Sequence, residues 1–333
     1  MAQTILKVEH LTKVYSSQKA KIHAVNDVSF TVKKGETIGI VGESGCGKTT
    51  LGRMIVRAVP ATEGRVLYTA EDGKEYDLQA LTDKEMKKLR REVQMIFQDP
   101  YSSLDPRMTV FDIISEPLRA NFRGMAKKEM ETRVKEIAEK VGLNPSYLKR
   151  YPHAFSGGQR QRIGIARALV LLPRLIVCDE AVSALDVSVQ AQVVNLLRDL
   201  QKEMGLTYLF ISHDLSVIEH ISDRVGVMYL GRLAEYAPSR ALFESPKHPY
   251  SEALVSAIPI ADPTVTLERI PLEGEIPNPA NAPSGCYFHP RCRYCEKRCT
   301  EETPEVAEVL PGEYAACLRT GELKLQGLRY GSL

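Results

Sequence analysis

The sequence predicts an α/β fold with a largely parallel sheet, and three observations lead to this prediction. Strand-like apolar runs alternate with helical patterns along most of the chain, and this order builds parallel sheets. Helical spacing without a strong strand signal dominates about residues 100–168, which indicates an inserted helical subdomain. After about Ser256 the chain becomes rich in proline and then in cysteine, so we expect a connector to a small C-terminal extension.

The individual elements follow in chain order. Residues 5–11 and 25–32 alternate in apolar character, which predicts an N-terminal antiparallel β subdomain. Thr82 and Glu85 form a capping-box pattern and should start a helix. The remaining predicted strands are 37–41, 93–97, 175–178, 207–211 and 224–229. The remaining predicted helices are 50–59, 129–141, 159–169 and 187–204.

Composition sets limits on location and partners. The chain has 333 residues with a net charge of +2, so no global field recruits nucleic acid or anionic lipid. The N-terminus lacks the features of a signal peptide, and no apolar run approaches the roughly 18 residues of a membrane span. We therefore expect a cytoplasmic protein that meets the membrane only through a partner.

A phosphate-binding loop follows the strand at 37–41. The segment matches the pattern G-x-x-x-x-G-K-[ST] and consists of Gly42, Glu43, Ser44, Gly45, Cys46, Gly47, Lys48 and Thr49, with Thr50 next. The glycines let backbone N–H groups surround phosphate oxygens, Lys48 supplies a charge to the β- and γ-phosphates, and the Thr49 hydroxyl can bind Mg²⁺. The alternative interpretation is a glycine-rich turn with a chance lysine.

Two carboxylates end the strand at 175–178. Asp179 and Glu180 should face the same crevice as the phosphate loop, because both follow the carboxyl ends of parallel strands. Asp179 would hold Mg²⁺ and Glu180 would polarise the attacking water. Alternatively, the two acids cap the next helix.

A second glycine pair precedes another helix. Ser156, Gly157, Gly158 and Gln159 combine a hydroxyl, glycine amides and a helix N-terminus, which together form a second anion site. The alternative is a plain helix N-cap in a glycine turn. One ATP does not need two such sites from the same chain, so this motif points to a partner.

These motifs, in this order, resemble the ATP-binding cassette (ABC) family over nearly all of residues 5–255. The resemblance implies a P-loop NTPase (RecA-like) core that hydrolyses ATP in a head-to-tail dimer, with Ser156–Gln159 closing on the ATP of the companion subunit. It also implies that Gln98 touches the metal and water, that His213 contacts the γ-phosphate and that Tyr15 stacks on adenine. By themselves, Gln98 and His213 are more typical of surface or satisfied core residues.

A narrower resemblance concerns the C-terminal extension. His248-Pro249-Tyr250, the proline-rich connector and Cys286–Cys292 are similar to oligopeptide and dipeptide importer ATPases, and Gln98–Arg107 and Tyr151–Arg162 are closest to the F-type subunit of oligopeptide permeases. The resemblance implies an ABC ATPase domain at 1–255 and an extension at 256–333.

The same resemblance implies partners and cargo. The partners are a second ATPase subunit, either non-identical or identical, two integral membrane permease subunits and an extracytoplasmic substrate-binding protein. The chain would lie on the inner face of the membrane. Di- and oligopeptides are the expected cargo, with nickel or another small solute as alternatives. A non-transport ABC ATPase is the remaining alternative.

Five cysteines crowd the last fifth of the chain. Five thiols exceed the four that either zinc or a four-iron cluster takes. The family pattern implies a [4Fe–4S] cluster on Cys286, Cys292, Cys299 and Cys317, with Cys295 extra to the pattern. Zn²⁺ stays an alternative, as do free thiols.

Overall fold

The structure is a computed structural model that describes residues 3–16, 21–99, 101–259 and 269–328. Pro100 of the segment Gln98–Arg107 and residues 260–268 of the predicted connector lie outside the described residues.

Within the described residues the chain forms the predicted mixture of strands and helices. The strands are β1 (Thr4–Ser16), β2 (Lys21–Lys33), β3 (Thr37–Val41), β4 (Glu63–Thr69), β5 (Glu75–Asp77), β6 (Val93–Ile96), β7 (Leu175–Asp179), β8 (Thr207–Ile211), β9 (Arg224–Tyr229), β10 (Arg232–Pro238), β11 (Ala307–Leu310) and β12 (Glu313–Ala315). The α-helices are α1 (Lys48–Ile55), α2 (Asp83–Leu89), α3 (Val110–Asn121), α4 (Lys127–Lys140), α5 (Gly157–Leu169), α6 (Val187–Met204), α7 (Leu215–Ile221), α8 (Ser239–Glu244), α9 (Pro249–Ser256) and α10 (Lys297–Glu301).

The chain divides into two compact units. The first consists of Met1–Leu6, Thr31–Glu36 and Leu67–Ile211. Its strands β6, β7 and β8 are parallel, with Val93 opposite Leu175 and Leu175 opposite Thr207. Every residue of β7 and β8 is buried, as expected for strands covered on both faces. Helices α2–α6 belong to this unit, and α3–α5 contain the predicted helical insertion.

The second unit consists of Lys7–Phe30, Thr37–Val66 and Ser212–Leu333. Its sheet has the strand order β11-β12-β10-β9-β3, in which β9 is parallel to β3 and the other neighbours are antiparallel. The C-terminal strand β12 pairs with β10, with Ala315 opposite Glu235. Residues of the C-terminal extension are therefore built directly into the sheet that carries β3.

A further sheet has the order β2-β1-β4-β5, and its β4–β5 pair is antiparallel. The strand β1 extends five residues beyond its predicted end at residue 11. Among the helices, the boundaries differ from prediction most clearly at α1, where the predicted range 50–59 is wrong at both ends. The helix begins at Lys48, directly after the left-handed Gly47, and ends at Ile55, because Arg57 adopts a left-handed φ of 52°. No helix among the described residues combines the length and apolarity needed to cross a membrane.

Candidate functional site

The phosphate loop connects β3 to α1 and contains two glycines at which a Cβ atom would clash with the backbone of other residues. Gly42 and Gly47 have φ angles of 149° and 105°. A Cβ on Gly42 would lie 2.2 Å from the Met228 carbonyl oxygen, and one on Gly47 would lie 2.0 Å from the Ala24 carbonyl oxygen. Only glycine therefore allows the strand to turn directly into a helix N-terminus, which carries about half a positive charge.

The Lys48 side chain lies across the inside of this loop. Its Nζ donates hydrogen bonds to the carbonyl oxygens of Gly42, at 2.7 Å, and of Glu43, at 2.9 Å. Cys46 Sγ is 3.7 Å from the same nitrogen, and burial raises the pKa of the Cys46 thiol. Ser44 and Gly45 are exposed at the tip, and Thr49 and Thr50 are half-buried in the first turn of α1. A full positive charge thus lies where the sequence predicted phosphate binding.

In the first unit, the end of β7 presents the two predicted carboxylates. Asp179 is the last residue of the buried strand, and Glu180 follows it with a left-handed φ of 46°, which is uncommon for a residue with a side chain. Gln98, two residues beyond β6, donates a hydrogen bond from Nε2 to Glu180 Oε2 at 2.6 Å. The structure therefore brings together Gln98 and Glu180, which are 82 residues apart in the chain.

The second glycine motif forms the N-terminus of α5. Ser156 Oγ accepts a hydrogen bond from the Gln159 N–H at 3.4 Å, and the Gln159 side chain accepts one from the Ser156 N–H at 3.1 Å. A Cβ on Gly158 would lie 2.4 Å from Val189 Cγ1, whereas Gly157 has ordinary room. The plain capping alternative therefore describes the local structure, and the predicted role toward a partner stays a prediction.

His213 and Tyr15 belong to the second unit. Ser212 donates its N–H to the Ile40 carbonyl oxygen at 3.1 Å, so the exposed His213 lies beside the end of β3 that enters the phosphate loop. Tyr15, near the end of β1, is exposed, and Lys13 Nζ lies 5.2 Å from its ring centroid. An exposed ring of this kind is available for stacking, and its predicted role stays a prediction.

Four of the five clustered cysteines line one cavity in the second unit. Cys286, Cys292, Cys299 and Cys317 face it, together with His248 and His289, whereas Cys295 is exposed and does not line it. Burial raises the pKa of the Cys286 thiol to about 11 and that of the Cys292 thiol to about 12. Four thiols suit a metal or cluster that takes four thiolates. As positioned, however, no three or more His, Cys, Asp or Glu side chains among the described residues form a metal site.

Sequence reasoning missed two residues that contact the phosphate loop. The Tyr250 hydroxyl accepts a hydrogen bond from the Glu43 N–H at 2.9 Å, and Arg291 forms an ion pair with the Glu43 carboxylate. Both lie in motifs noted above, His248-Pro249-Tyr250 and Cys286–Cys292, but each is more than 200 residues from Glu43 along the chain. Nothing in local spacing predicts such contacts.

Comparison with known proteins places these features in a family. The model of the ABC transporter family matches residues 25–183, and that of the oligopeptide/dipeptide transporter C-terminal region matches residues 234–299. The chain is 51% identical over 324 residues to a probable peptide ABC transporter ATP-binding protein of Sinorhizobium fredii, covering 95% of this chain and 90% of that one. It is 50% identical over 325 residues to the oligopeptide transport ATP-binding protein AppF of Bacillus subtilis, covering 95% and 97%.

Solved structures agree with the sequence relatives. A dimeric ATP-binding cassette in a post-hydrolysis state, bound to ADP and Pi, matches with a TM-score of 0.63 and 31% identity over 71% of this chain and 99% of that one. A second match is cbiO1 from Clostridium perfringens, part of the ABC transporter complex cbiONQ, with a TM-score of 0.63 and 29% identity over 72% of this chain and 91% of that one. The predicted P-loop NTPase fold is thereby confirmed. With relatives half identical over almost their whole length, the chain belongs to the ATP-binding proteins of ABC transporters and is an ATPase that uses ATP and Mg²⁺.

Proposed function

We propose that the chain is the ATP-hydrolysing subunit of an importer for di- and oligopeptides. The hydrogen bond between Gln98 and Glu180 carries the hydrolytic part, because it pairs the candidate base with an amide that fixes its direction. The peptide cargo is supported by relatives whose names describe peptide transport and by the match to the oligopeptide/dipeptide transporter C-terminal region.

The phosphate loop holds the nucleotide in this proposal. Lys48 turns from the loop carbonyls to the β- and γ-phosphates, residues 42–50 supply backbone N–H groups, and Tyr15 stacks on adenine. The Thr49 hydroxyl, the Asp179 carboxylate and Gln98 would hold Mg²⁺, and the ion would supply positive charge beside the phosphate oxygens.

Hydrolysis then requires one oriented water. The Glu180 carboxylate polarises that water and accepts its proton, while the water oxygen forms a bond to the γ-phosphorus. The bond between this phosphorus and the ADP oxygen breaks, and the products are ADP and inorganic phosphate. His213 contacts the γ-phosphate and stabilises the charge that it gains.

A companion ATPase subunit completes each site. Ser156, Gly157, Gly158 and Gln159 form the N-terminus of α5, and this end of a helix attracts an anion held by another subunit. The companion is a non-identical subunit in our proposal, with a homodimer as the alternative. Two permease subunits hold the pair on the cytoplasmic face of the membrane, and an extracytoplasmic binding protein delivers the cargo. The division into an ATPase domain at 1–255 and an extension at 256–333 is part of this proposal.

The substitution Glu180→Gln tests the hydrolytic assignment. It keeps the shape of the side chain and an oxygen for Gln98 but removes the base, so we expect ATP turnover to fall by at least about 100-fold. The ATP-bound dimer should become more stable, as measured by size-exclusion chromatography with MgATP. Glu136→Gln, on an exposed face of α4, is the control. Unchanged turnover in Glu180→Gln would assign the base to another residue.

Cargo is tested separately, in vesicles that contain the permease subunits and both ATPases. We expect ATP-dependent uptake of labelled di- or oligopeptides when the binding protein is present. Uptake of nickel alone would contradict the peptide assignment while leaving the ATPase assignment intact.

The cysteine cavity is proposed to hold a [4Fe–4S] cluster on Cys286, Cys292, Cys299 and Cys317, with Zn²⁺ as the alternative. Such a group would stabilise a short segment that has little core of its own. Anaerobic purification should yield about four iron and four sulfide per chain. Stoichiometric zinc without sulfide would replace the cluster by zinc.

A further inference from the structure

The acidic residue of the phosphate loop, Glu43, is held from two directions by the C-terminal part of the second unit. Arg291 Nη1 and Nη2 donate to the two carboxylate oxygens of Glu43 at 2.7 and 3.0 Å, which is a bidentate pair. The Tyr250 hydroxyl accepts from the Glu43 backbone N–H at 2.9 Å. Side chain and backbone of this loop residue are therefore both fixed.

The ion pair lies in surroundings that restrict its movement. The Arg291 side chain is only 5% exposed and the Glu43 side chain 22%. Arg291 also lies against Tyr229, whose ring packs on Tyr250 and Phe288 with centroid distances of 4.8 and 5.3 Å. A bidentate pair with a planar fork and rigid neighbours fixes geometry better than a solvated pair does.

A second connection to the same loop begins at Tyr287, which lies in the same segment, Cys286–Cys292, as Arg291. Asn26 Nδ2 donates to the Tyr287 hydroxyl at 3.3 Å, and the Asn26 N–H donates to the Gly231 carbonyl oxygen at 2.8 Å. The Gly231 N–H in turn donates to the Cys46 carbonyl oxygen at 3.0 Å. The segment Cys286–Cys292 thus contacts the loop directly at Glu43 and is linked to Cys46 through Asn26 and Gly231.

We propose that Arg291 is a positioning residue for ATP, and that it acts through Glu43. The carbonyl oxygen of Glu43 accepts a hydrogen bond from Lys48 Nζ, so a shift of Glu43 also displaces the lysine that faces the phosphates. The C-terminal extension therefore sets the shape of the phosphate loop before nucleotide binds. This inference rests on ATP binding at that loop.

The test is a double-mutant cycle with Arg291→Met and Glu43→Gln in the full-length chain. Each single variant should bind a fluorescent MgATP analogue about tenfold more weakly than the wild type. The double variant should bind it no more weakly than either single variant, because the losses of binding free energy from two coupled residues do not add. Arg291→Lys keeps the charge but lacks the fork, so it should recover only part of the affinity.

Arg293→Met is the matched control. Arg293 lies two residues away and pairs with the buried Glu252 at 3.2 Å, so its loss lowers the melting temperature without touching the phosphate loop. Its nucleotide affinity should equal that of the wild type at a temperature where every variant is folded. Equal losses of nucleotide affinity in Arg293→Met and Arg291→Met would overturn the proposal.

The remaining outcomes are also decisive. Additive losses in the double variant, or unchanged affinity in folded Arg291→Met, would contradict it. If Arg291→Met does not fold, Glu43→Gln alone decides, and unchanged affinity in that variant refutes the role. A wild-type chain that binds no MgATP analogue would instead overturn the proposed function.

Discussion

At the scale of single residues, the phosphate loop contains two nearby glycines with different structural demands. Gly45 and Gly47 both have left-handed φ angles, 79° and 105°. A Cβ on Gly45 would meet nothing within 4 Å, whereas one on Gly47 would lie 2.0 Å from a backbone oxygen. Gly45 is therefore required only for its left-handed backbone conformation, whereas Gly47 is required also because no Cβ atom fits there.

We therefore expect Gly45→Ala and Gly47→Ala to differ. Gly45→Ala should lower the free energy of unfolding by about 1–2 kcal/mol through its left-handed backbone alone. Gly47→Ala should lower the free energy of unfolding by roughly 3 kcal/mol or more, because the atom that the new Cβ would meet is the backbone carbonyl oxygen of Ala24, which cannot move aside as a side chain could. Chemical denaturation measures both values. Equal losses would show that space at Gly47 is not limiting.

Glu180 is the other residue where local geometry matters. Its left-handed φ follows a fully buried strand, and its N–H donates to the Ile211 carbonyl oxygen at 2.9 Å. Strained backbone of this kind persists only where the surroundings enforce it, and it concentrates at functional sites. The sequence motif identified the carboxylate, but only the structure reveals that its backbone is constrained.

At the scale of elements, β10 contains a buried carboxylate. Glu235 is fully buried and accepts hydrogen bonds from the Lys247 and His248 N–H groups at 2.8 and 2.9 Å. Burial nonetheless raises the pKa of Glu235 from 4.5 to about 7. The folded state therefore binds a proton on this carboxyl more tightly than the unfolded state does.

Stability should consequently fall as pH rises. The contribution of Glu235 is fully present below pH 4.5 and is lost as pH rises through about 7, and the whole change is on the order of 3 kcal/mol. Comparing wild type with Glu235→Gln by denaturation at several pH values isolates this effect. The difference should vary with pH in that window, whereas the difference for exposed Glu136→Gln should not. A flat difference for Glu235→Gln would place its pKa near the ordinary value.

The sequence predicted elements well where local signals suffice. The range 187–204 of α6 agrees with the structure because Asp186 caps its start and left-handed Gly205 ends it. The strands β10, β11 and β12 were not predicted. The strands β11 and β12 have only four and three residues, and β12 pairs with β10, which is distant in the chain. The same distinction holds in the site: strand-end carboxylates are visible as motifs, whereas Arg291 and Tyr250 gain their importance only through folding.

At the scale of the whole molecule, the cysteine cavity links the end of the chain to its earlier parts. Cys317 follows β12 and faces the same cavity as Cys286 and Cys292, whereas Cys295 is exposed. Arg291 precedes Cys292 directly, so the residue that holds the phosphate loop is adjacent to a cavity residue. A shift of Cys292 would therefore be transmitted to Arg291, which contacts the phosphate loop.

The variants Cys317→Ser and Cys295→Ser should distinguish a proposed metal ligand from a cysteine that does not bind the metal. If the cavity holds the proposed cluster, we expect Cys317→Ser to bind much less metal than the wild type and to melt at a lower temperature, because metal binding contributes folding energy. Cys295→Ser should keep both the metal content and the melting temperature of the wild type. Metal analysis and calorimetry on anaerobically purified protein measure the two. Metal lost from Cys295→Ser but kept by Cys317→Ser would reverse the assignment.

The pair between Glu43 and Arg291 also has a consequence for protein synthesis. Its members are 248 residues apart, so the ribosome must translate that whole stretch before Glu43 can pair with Arg291. A nascent chain, or one cut short before Arg291, has a complete phosphate-loop sequence but lacks this support. Full nucleotide affinity would then arise only after Arg291 has been translated, which separates chains that contain this residue from shorter ones.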